Sequence, residues 1–271
     1  MRRRGRWNAV RAWPIPRQIL LIILIVYVAK QGLAVAIFPP FSGHDEVAHF
    51  AYIETVATEH RVPKIIDLNA YRAEWNATRR ATGDFLPADL YPYCRYVLDW
   101  YCSTYPGSPW LANPPKTVIL GTEYYPTGWQ YAANHPPLYY VLMAPLYKVF
   151  EHKSPAFQEH VIRIAAIPFG LLVVIFAFLL AQLLFPGDLF MISTVTAFVA
   201  FQPQISYEAA MVNNDITAIA AFSVMLYLLT RCLRFGVSWR LAALIGANLG
   251  IGLLFKSTML VSIPMIVVAI V

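Results

Sequence analysis

Charge is scarce in this chain. Asp, Glu, Lys and Arg make up only 13% of its 271 residues, about half the share in an average soluble domain. Hydrophobic residues make up 58%, and the mean hydropathy is +0.53. That shortage excludes a soluble globular protein and leaves an integral membrane protein. An acidic balance is missing too, since the net charge is +6. The surplus is not spread over a surface: Arg2, Arg3, Arg4, Arg6, Arg11 and Arg17 all precede the first apolar run. It is therefore a flanking signal for membrane insertion, with no nucleic-acid partner implied. Cysteine is limited to three residues. Cys94 and Cys102 fall in a long polar stretch where an oxidising compartment would allow a bond, and free thiols are the alternative. Cys232, at the end of an apolar run, reads as packing. Internal repeats are also lacking, which counts against a transporter built from duplicated halves.

What the chain does have is a series of apolar runs around one polar insertion. The first run, from Ile19 to Phe38, is as long as a membrane span and longer than the core of a signal peptide, and Pro39-Pro40 behind it makes a poor cleavage site. It reads as a retained anchor, with residues 1–18 as a basic cytoplasmic N-terminus and 19–38 as the first span. Residues 39–160 are too polar and too rich in Pro, Tyr and Trp to sit in lipid, and form a long outer loop. Residues 161–271 then hold five further runs, at about 162–185, 189–207, 216–233, 239–255 and 257–271. The fold class expected is all-α: a multi-span bundle of about six membrane helices whose outer loop carries two membrane-surface helices. The last run ends with no polar flank, as the front part of a longer protein would.

The first surface helix is expected from Asp45 to His60, with Val47, Phe50, Ala51, Ile53, Val56 and Ala57 at helical spacing and Pro63 closing it. The second opens at His135-Pro136-Pro137 and runs to Phe150, with proline in its first turn. Between them, Tyr and Trp residues such as Trp100, Tyr101, Trp110 and Trp129 crowd together with prolines. They form either a stacking wall for a sugar or lipid or an interfacial aromatic belt. Asn76-Ala77-Thr78 is formally a glycosylation triplet. Counting from an inside N-terminus, the connection from Arg231 to Arg240 falls inside, as the excess of positive charge there requires. The same count puts Asp45, the loop from Glu208 to Asp215, and Lys256 together on the outer side.

Ionisable groups at membrane depth are costly, so each of these is a candidate for function. Asp45 and Glu46 stand side by side where the first span ends, and His49 follows Asp45 by one helical turn. The plainer reading is that acids in a first turn complement the helix dipole. Arg163 either clamps a phosphate or snorkels to headgroups. Lys256 faces the same choice between an anionic ligand and a lipid headgroup. Asp215, after Asn213-Asn214, also suits a helix cap. Asp45-Glu46-Val47-Ala48-His49 has the outline of a zinc-protease motif. His44 and His49 are five apart, however, and do not share a helix face, so a zinc protease is set aside. A divalent cation held among the carboxylates stays open.

Taken together, these residues resemble the GT-C superfamily of membrane glycosyltransferases. Protein O-mannosyltransferases and lipid A aminoarabinose transferases have the nearest layout, and the wording looks most like a bacterial branch. The carriers are Asp45-Glu46-x-x-His49, His135-Pro136-Pro137-Leu138-Tyr139-Tyr140, Arg163 and Val212-Asn213-Asn214-Asp215. The resemblance implies transfer of a sugar from a polyprenyl-phosphate donor to a lipid, glycan or protein acceptor at the outer face of a bacterial plasma membrane. Asp45 would be the base. Arg163 and Lys256, with His135 as a further donor, would face the leaving phosphate. Glu46 and Asp215 would orient the acceptor or hold a cation, and His49 and Asn214 would complete the substrate-binding set. The superfamily usually has about twice as many spans. Two other readings stand beside this one: a transporter or flippase-like protein that binds a lipid-linked or anionic solute, and a non-catalytic membrane scaffold.

Overall fold

A computed structural model describes residues 14–65, 83–84, 86–87, 89–90, 93, 117–120, 123–126 and 130–270. Cys94, Cys102, the triplet at Asn76 and most of the aromatic-rich stretch lie outside the described residues, as do the arginines ahead of Arg17. The structure is helical. The helices are α1 (Ile15–Ile37), α2 (Glu46–Glu59), α3 (Leu138–Val149), α4 (Pro155–Leu184), α5 (Leu189–Phe201), α6 (Pro203–Glu208), α7 (Asp215–Phe235), α8 (Trp239–Phe255) and α9 (Ser262–Ile270). Two short strands, β1 (Thr117–Leu120) and β2 (Glu123–Pro126), pair antiparallel with Thr117 opposite Pro126. Short 3-10 turns precede α3 and α9.

Contacts divide the chain into two units. The apolar unit comprises Met1–Val35, Ala166–Ala210 and Asp215–Val271, and the polar unit comprises Ala36–Ala165 and Met211–Asn214. Of the six expected spans, α1, α4 and α7 are long and apolar enough to cross a membrane, at 23, 30 and 21 residues. At about 1.5 Å per residue each exceeds the ~30 Å hydrocarbon layer. The other three expected spans are shorter helices. The run from Leu189 to Tyr207 shows why. Pro203 supplies no N–H, so α5 stops at Phe201, Gln202 turns extended, and Pro203 starts α6 as its first residue. Lys30 of α1 secures the break, with Nζ donating to Ala200 O at 2.6 Å and to Ser206 Oγ at 2.5 Å. A cation there complements the carbonyl end of α5.

Elsewhere the ends follow ordinary capping chemistry. Ser154 Oγ accepts from Phe157 N–H ahead of Pro155, Asp188 accepts from Met191 N–H, and Ser238 accepts from Leu241 N–H. The core of the apolar unit gathers Ile23, Tyr27, Ala166, Val174, Ala209 and Ile216. Gly170 of α4 is part of that fit: a Cβ there would stand 2.0 Å from the Tyr27 hydroxyl.

In the polar unit α2 packs on α3 through Phe50 against Tyr147 and Tyr52 against Tyr140, the latter rings stacked at 3.6 Å. Burial of α2 extends beyond the face that its apolar spacing marks. Ten of the fourteen α2 residues are buried, Glu46 and His49 among them. Ala48, Tyr52 and Thr55 fill the sides that this spacing left open. α3 buries Tyr139, Tyr140, Met143, Ala144 and Tyr147 and exposes Val141, Leu142 and Val149. Asp84 ties the loop to α2: Arg61 grips its carboxylate at 2.6 and 3.1 Å, Lys64 N–H donates to it at 2.6 Å, and its carbonyl accepts from Gln130 N–H. The Gln130 side chain in turn donates to Ala48 O at 2.8 Å. Burial alone would raise the Asp84 carboxyl, but the bonds and charges of Arg61 and Lys64 outweigh it and hold Asp84 below the usual range.

Glu54 of α2 is placed the opposite way. Burial first, then the charge of Asp89, push it up to about 7 against a hydrogen bond from Tyr147. A carboxyl raised in the native state binds its proton where the unfolded chain has lost it, so stability falls as pH rises from the unfolded value of about 4.3 toward 7. Glu54→Gln is expected to raise Tm by a few degrees at pH 8 and to leave it unchanged at pH 4, read by thermal scans in detergent. An equal gain at both pH values would contradict the assignment.

Candidate active site

The turn from Phe38 to Asp45 carries the adjacent acids, and buried charges hold its backbone. Arg163, on the first turns of α4, is fully buried. Its guanidinium makes a two-pronged pair with Glu46, Nε to Oε1 at 2.8 Å and Nη2 to Oε2 at 2.6 Å. It also donates to Phe38 O and Pro39 O, each at 3.1 Å. Glu159, one helical turn earlier, pairs with Arg163 and accepts from Phe41 N–H at 3.2 Å. Phe41 is left-handed with φ 59° and wholly buried, its ring edge-on to Phe50 at 5.1 Å.

Glu46 is the hub. Besides the two guanidinium donors it accepts from Gly43 N–H at 2.9 Å and from Val212 N–H at 2.7 Å, and it has no solvent exposure. Gly43 is required for this approach, since a Cβ there would lie 2.8 Å from Glu46 Oε2 and 2.8 Å from the Met211 sulfur. A buried carboxylate surrounded by donors with good geometry satisfies the condition under which burying a charge is tolerated. Tyr139 is buried nearby. Its phenol is pushed upward chiefly by burial and then by the Glu46 charge, so it stays protonated.

Asp45 is built differently. It is the N-cap residue of α2, yet its side chain makes no capping bond, and its backbone is left-handed at φ 61° and ψ 6°. Its side chain is 24% exposed and lies 3.1 Å from Nε2 of the exposed His44. One turn on, His49 is buried, bonded through Nδ1 to the Tyr140 hydroxyl at 2.8 Å and stacked on His135 at 5.5 Å. His135 is half-buried, and its carbonyl accepts from the Tyr52 hydroxyl at 3.3 Å.

The polar unit thus contains Asp45, Glu46, His49, His135, Arg163 and Asn214, the last fully buried two residues beyond Val212. Asp215 and Lys256 belong to the apolar unit and pair with one another at 2.5 Å, Lys256 closing α8 and Asp215 opening α7. Sequence reasoning missed Glu159, Tyr52, Gln130 and the need for glycine at Gly43. Glu159 had a signal, being four residues before Arg163 at the head of an apolar helix. Among the described residues no group of three or more His, Cys, Asp or Glu side chains is arranged to hold a metal ion.

Neither a curated protein nor a solved structure gives a significant match to the chain. A family model does, over residues 134–271, just over half of the chain. The matched part contains His135, Arg163, Asn214, Asp215 and Lys256, and Asp45, Glu46 and His49 lie ahead of it. The chain belongs to the dolichyl-phosphate-mannose-protein mannosyltransferase family of GT-C membrane glycosyltransferases.

Proposed function

We propose that this membrane glycosyltransferase moves a sugar from a polyprenyl-phosphate donor to an acceptor at the extracytoplasmic face, with Asp45 as the base. The observation that carries the reading is the contrast between the two adjacent acids. Glu46 is saturated with donors and buried, whereas Asp45 sits in the helix-capping position without capping, in a backbone conformation unfavourable for most residues, at the solvent edge. A carboxylate placed in this way suits proton transfer. The acceptor hydroxyl or amine gives its proton to Asp45 as its oxygen or nitrogen attacks the anomeric carbon. The bond from that carbon to the phosphate oxygen breaks, and its electron pair leaves with the polyprenyl phosphate. One displacement inverts the anomeric centre.

The burial of Arg163 and Glu46 supports a framing role for the pair: Arg163 holds Glu46 and two loop carbonyls, and through them the turn that presents Asp45. Stabilising the leaving phosphate then falls to the half-buried His135. His49 and Asn214, both buried, are assigned to the substrate-binding set. The test is a panel of labelled polyprenyl-phosphate sugars, beginning with mannose, incubated with the wild-type protein in nanodiscs. Release of polyprenyl phosphate is expected with at least one donor. No release with any donor would sink the donor assignment.

A further inference from the structure

Four residues, His49, Tyr140, Tyr52 and His135, form a closed circuit. The His49 Nδ1 meets the Tyr140 hydroxyl at 2.8 Å, and the Tyr140 ring lies on the Tyr52 ring at 3.6 Å with 4° between planes. The Tyr52 hydroxyl donates to the His135 carbonyl at 3.3 Å, and the His135 ring returns to stack on His49 at 5.5 Å and 21°. Two imidazoles so close disfavour two positive charges, so the environment decides which one takes up a proton. His49 is 3% exposed and His135 is half-buried. Burial disfavours the charged form, and a neutral His49 whose Nδ1 accepts from the Tyr140 hydroxyl carries its proton on Nε2.

We propose that His49 is a positioning residue which, locked by Tyr140 and stacked on His135, stays neutral and leaves His135 as the imidazole that presents positive charge to the leaving phosphate. The inference rests on the assignment of His135 to that phosphate. Among the described residues, Tyr52 from α2, Tyr139 and Tyr140 from α3 and the neutral Gln130 ahead of His135 pack about the pair, and Asp45, with the exposed His44 beside it, stands four residues before His49. The half-buried His135 ring is the one that solvent reaches, and the proton is assigned to it.

The test reads the rings directly, so it stands whether or not a donor is turned over. The protein is labelled with ¹⁵N,¹³C-histidine, reconstituted in nanodiscs and titrated by NMR from about pH 5 to 8.5, a range that brackets the unperturbed imidazole value. His135 and His49 are assigned by loss of signal in His135→Gln and His49→Gln. In the wild type, His135 is expected to titrate while His49 keeps an unprotonated Nδ1 throughout. Tyr140→Phe keeps the stack on Tyr52 and removes only the hydroxyl. In that variant His49 is expected to share the proton uptake, and the His135 midpoint to fall by at least about half a unit. With an active donor, the same variant is expected to lower kcat about tenfold at unchanged KM and to move the alkaline limb of the rate profile to lower pH. The proposal is overturned if His49 is the ring that titrates in the wild type, or if the Tyr140→Phe curves superimpose on the wild-type ones. Tyr52→Phe, which frees the His135 carbonyl and leaves the His49 bond intact, is expected to leave His49 neutral. Protonation of His49 there would contradict the role given to Tyr140.

Discussion

Arg163→Leu is expected to be the most destabilising single substitution in the polar unit. It strands two carboxylates, Glu46 and Glu159, whose side chains have no solvent exposure, and releases the carbonyls of Phe38 and Pro39 that the guanidinium binds. Removing one partner of a buried ion pair costs about 3–5 kcal/mol, on the order of 10 °C in Tm for a protein of this size. Arg163→Lys is not a conservative replacement, because a point-charge ammonium cannot reproduce a two-pronged pair with Glu46 and two carbonyl contacts at once. It is expected to lose more than half as much. A thermal scan of both variants, of Glu46→Gln and of Glu46→Gln/Arg163→Leu checks the mechanism. The double variant removes the stranded Glu46 charge, so it should be more stable than Arg163→Leu, and a loss smaller than the sum of the two single losses separates a buried pair from two independent surface charges. If Arg163→Leu scans within about 1 °C of the wild type, the framing role is wrong and the arginine returns to the substrate.

That Glu46 and Arg163 come together near Asp45 was legible in the sequence, and which of the two acids the arginine binds was not. Two acids directly after the first apolar run, and an arginine near the head of a later one, could be read as belonging together from charge and depth alone. That Glu46 is the buried partner and Asp45 the exposed one depends on Arg163, 117 positions away, and on the N–H of Val212, 166 positions away. No local pattern encodes which of two adjacent carboxylates such distant groups will meet. The membrane helices were legible where a run is long and no proline ends it, as in α1 and α7, and Pro168 lies inside α4 without breaking it. The run from Leu189 to Tyr207 was read as one span because its hydropathy is continuous, whereas the backbone consequence of Pro203 and the lysine that accepts the broken end act through hydrogen bonds that hydropathy does not weigh. The burial of α2 on its other sides was not legible, because Ala48, Tyr52 and Thr55 stand outside its apolar spacing. The stacked circuit was half visible, since His135, Tyr139 and Tyr140 stood out as a motif, but Tyr52 offered nothing in the sequence to link it to them.

Asp45→Asn is expected to lower sugar transfer by roughly 10²- to 10⁴-fold, the range for loss of a general base, with Tm unchanged. The backbone is what makes this substitution informative. At φ 61° most side chains are strained, and Asn and Asp are the non-glycine residues that tolerate the left-handed region best. Asn therefore keeps the turn and the side-chain volume and removes only the charge. Asp45→Gly removes the carboxylate and relieves the strain, so it is expected to be as inactive as Asn while gaining stability of up to about 1 kcal/mol. Asp45→Ala keeps the strain without the local hydrogen bonding that favours Asp there, and is expected to lose both activity and stability. A residue that merely shaped the start of α2 would give a different order, with activity following Tm from Gly through Asn to Ala. Measured together, turnover and Tm of the three variants distinguish the cases. Three inactive proteins of rising and falling stability identify a chemical role, and an active Gly variant would reduce Asp45 to a turn residue.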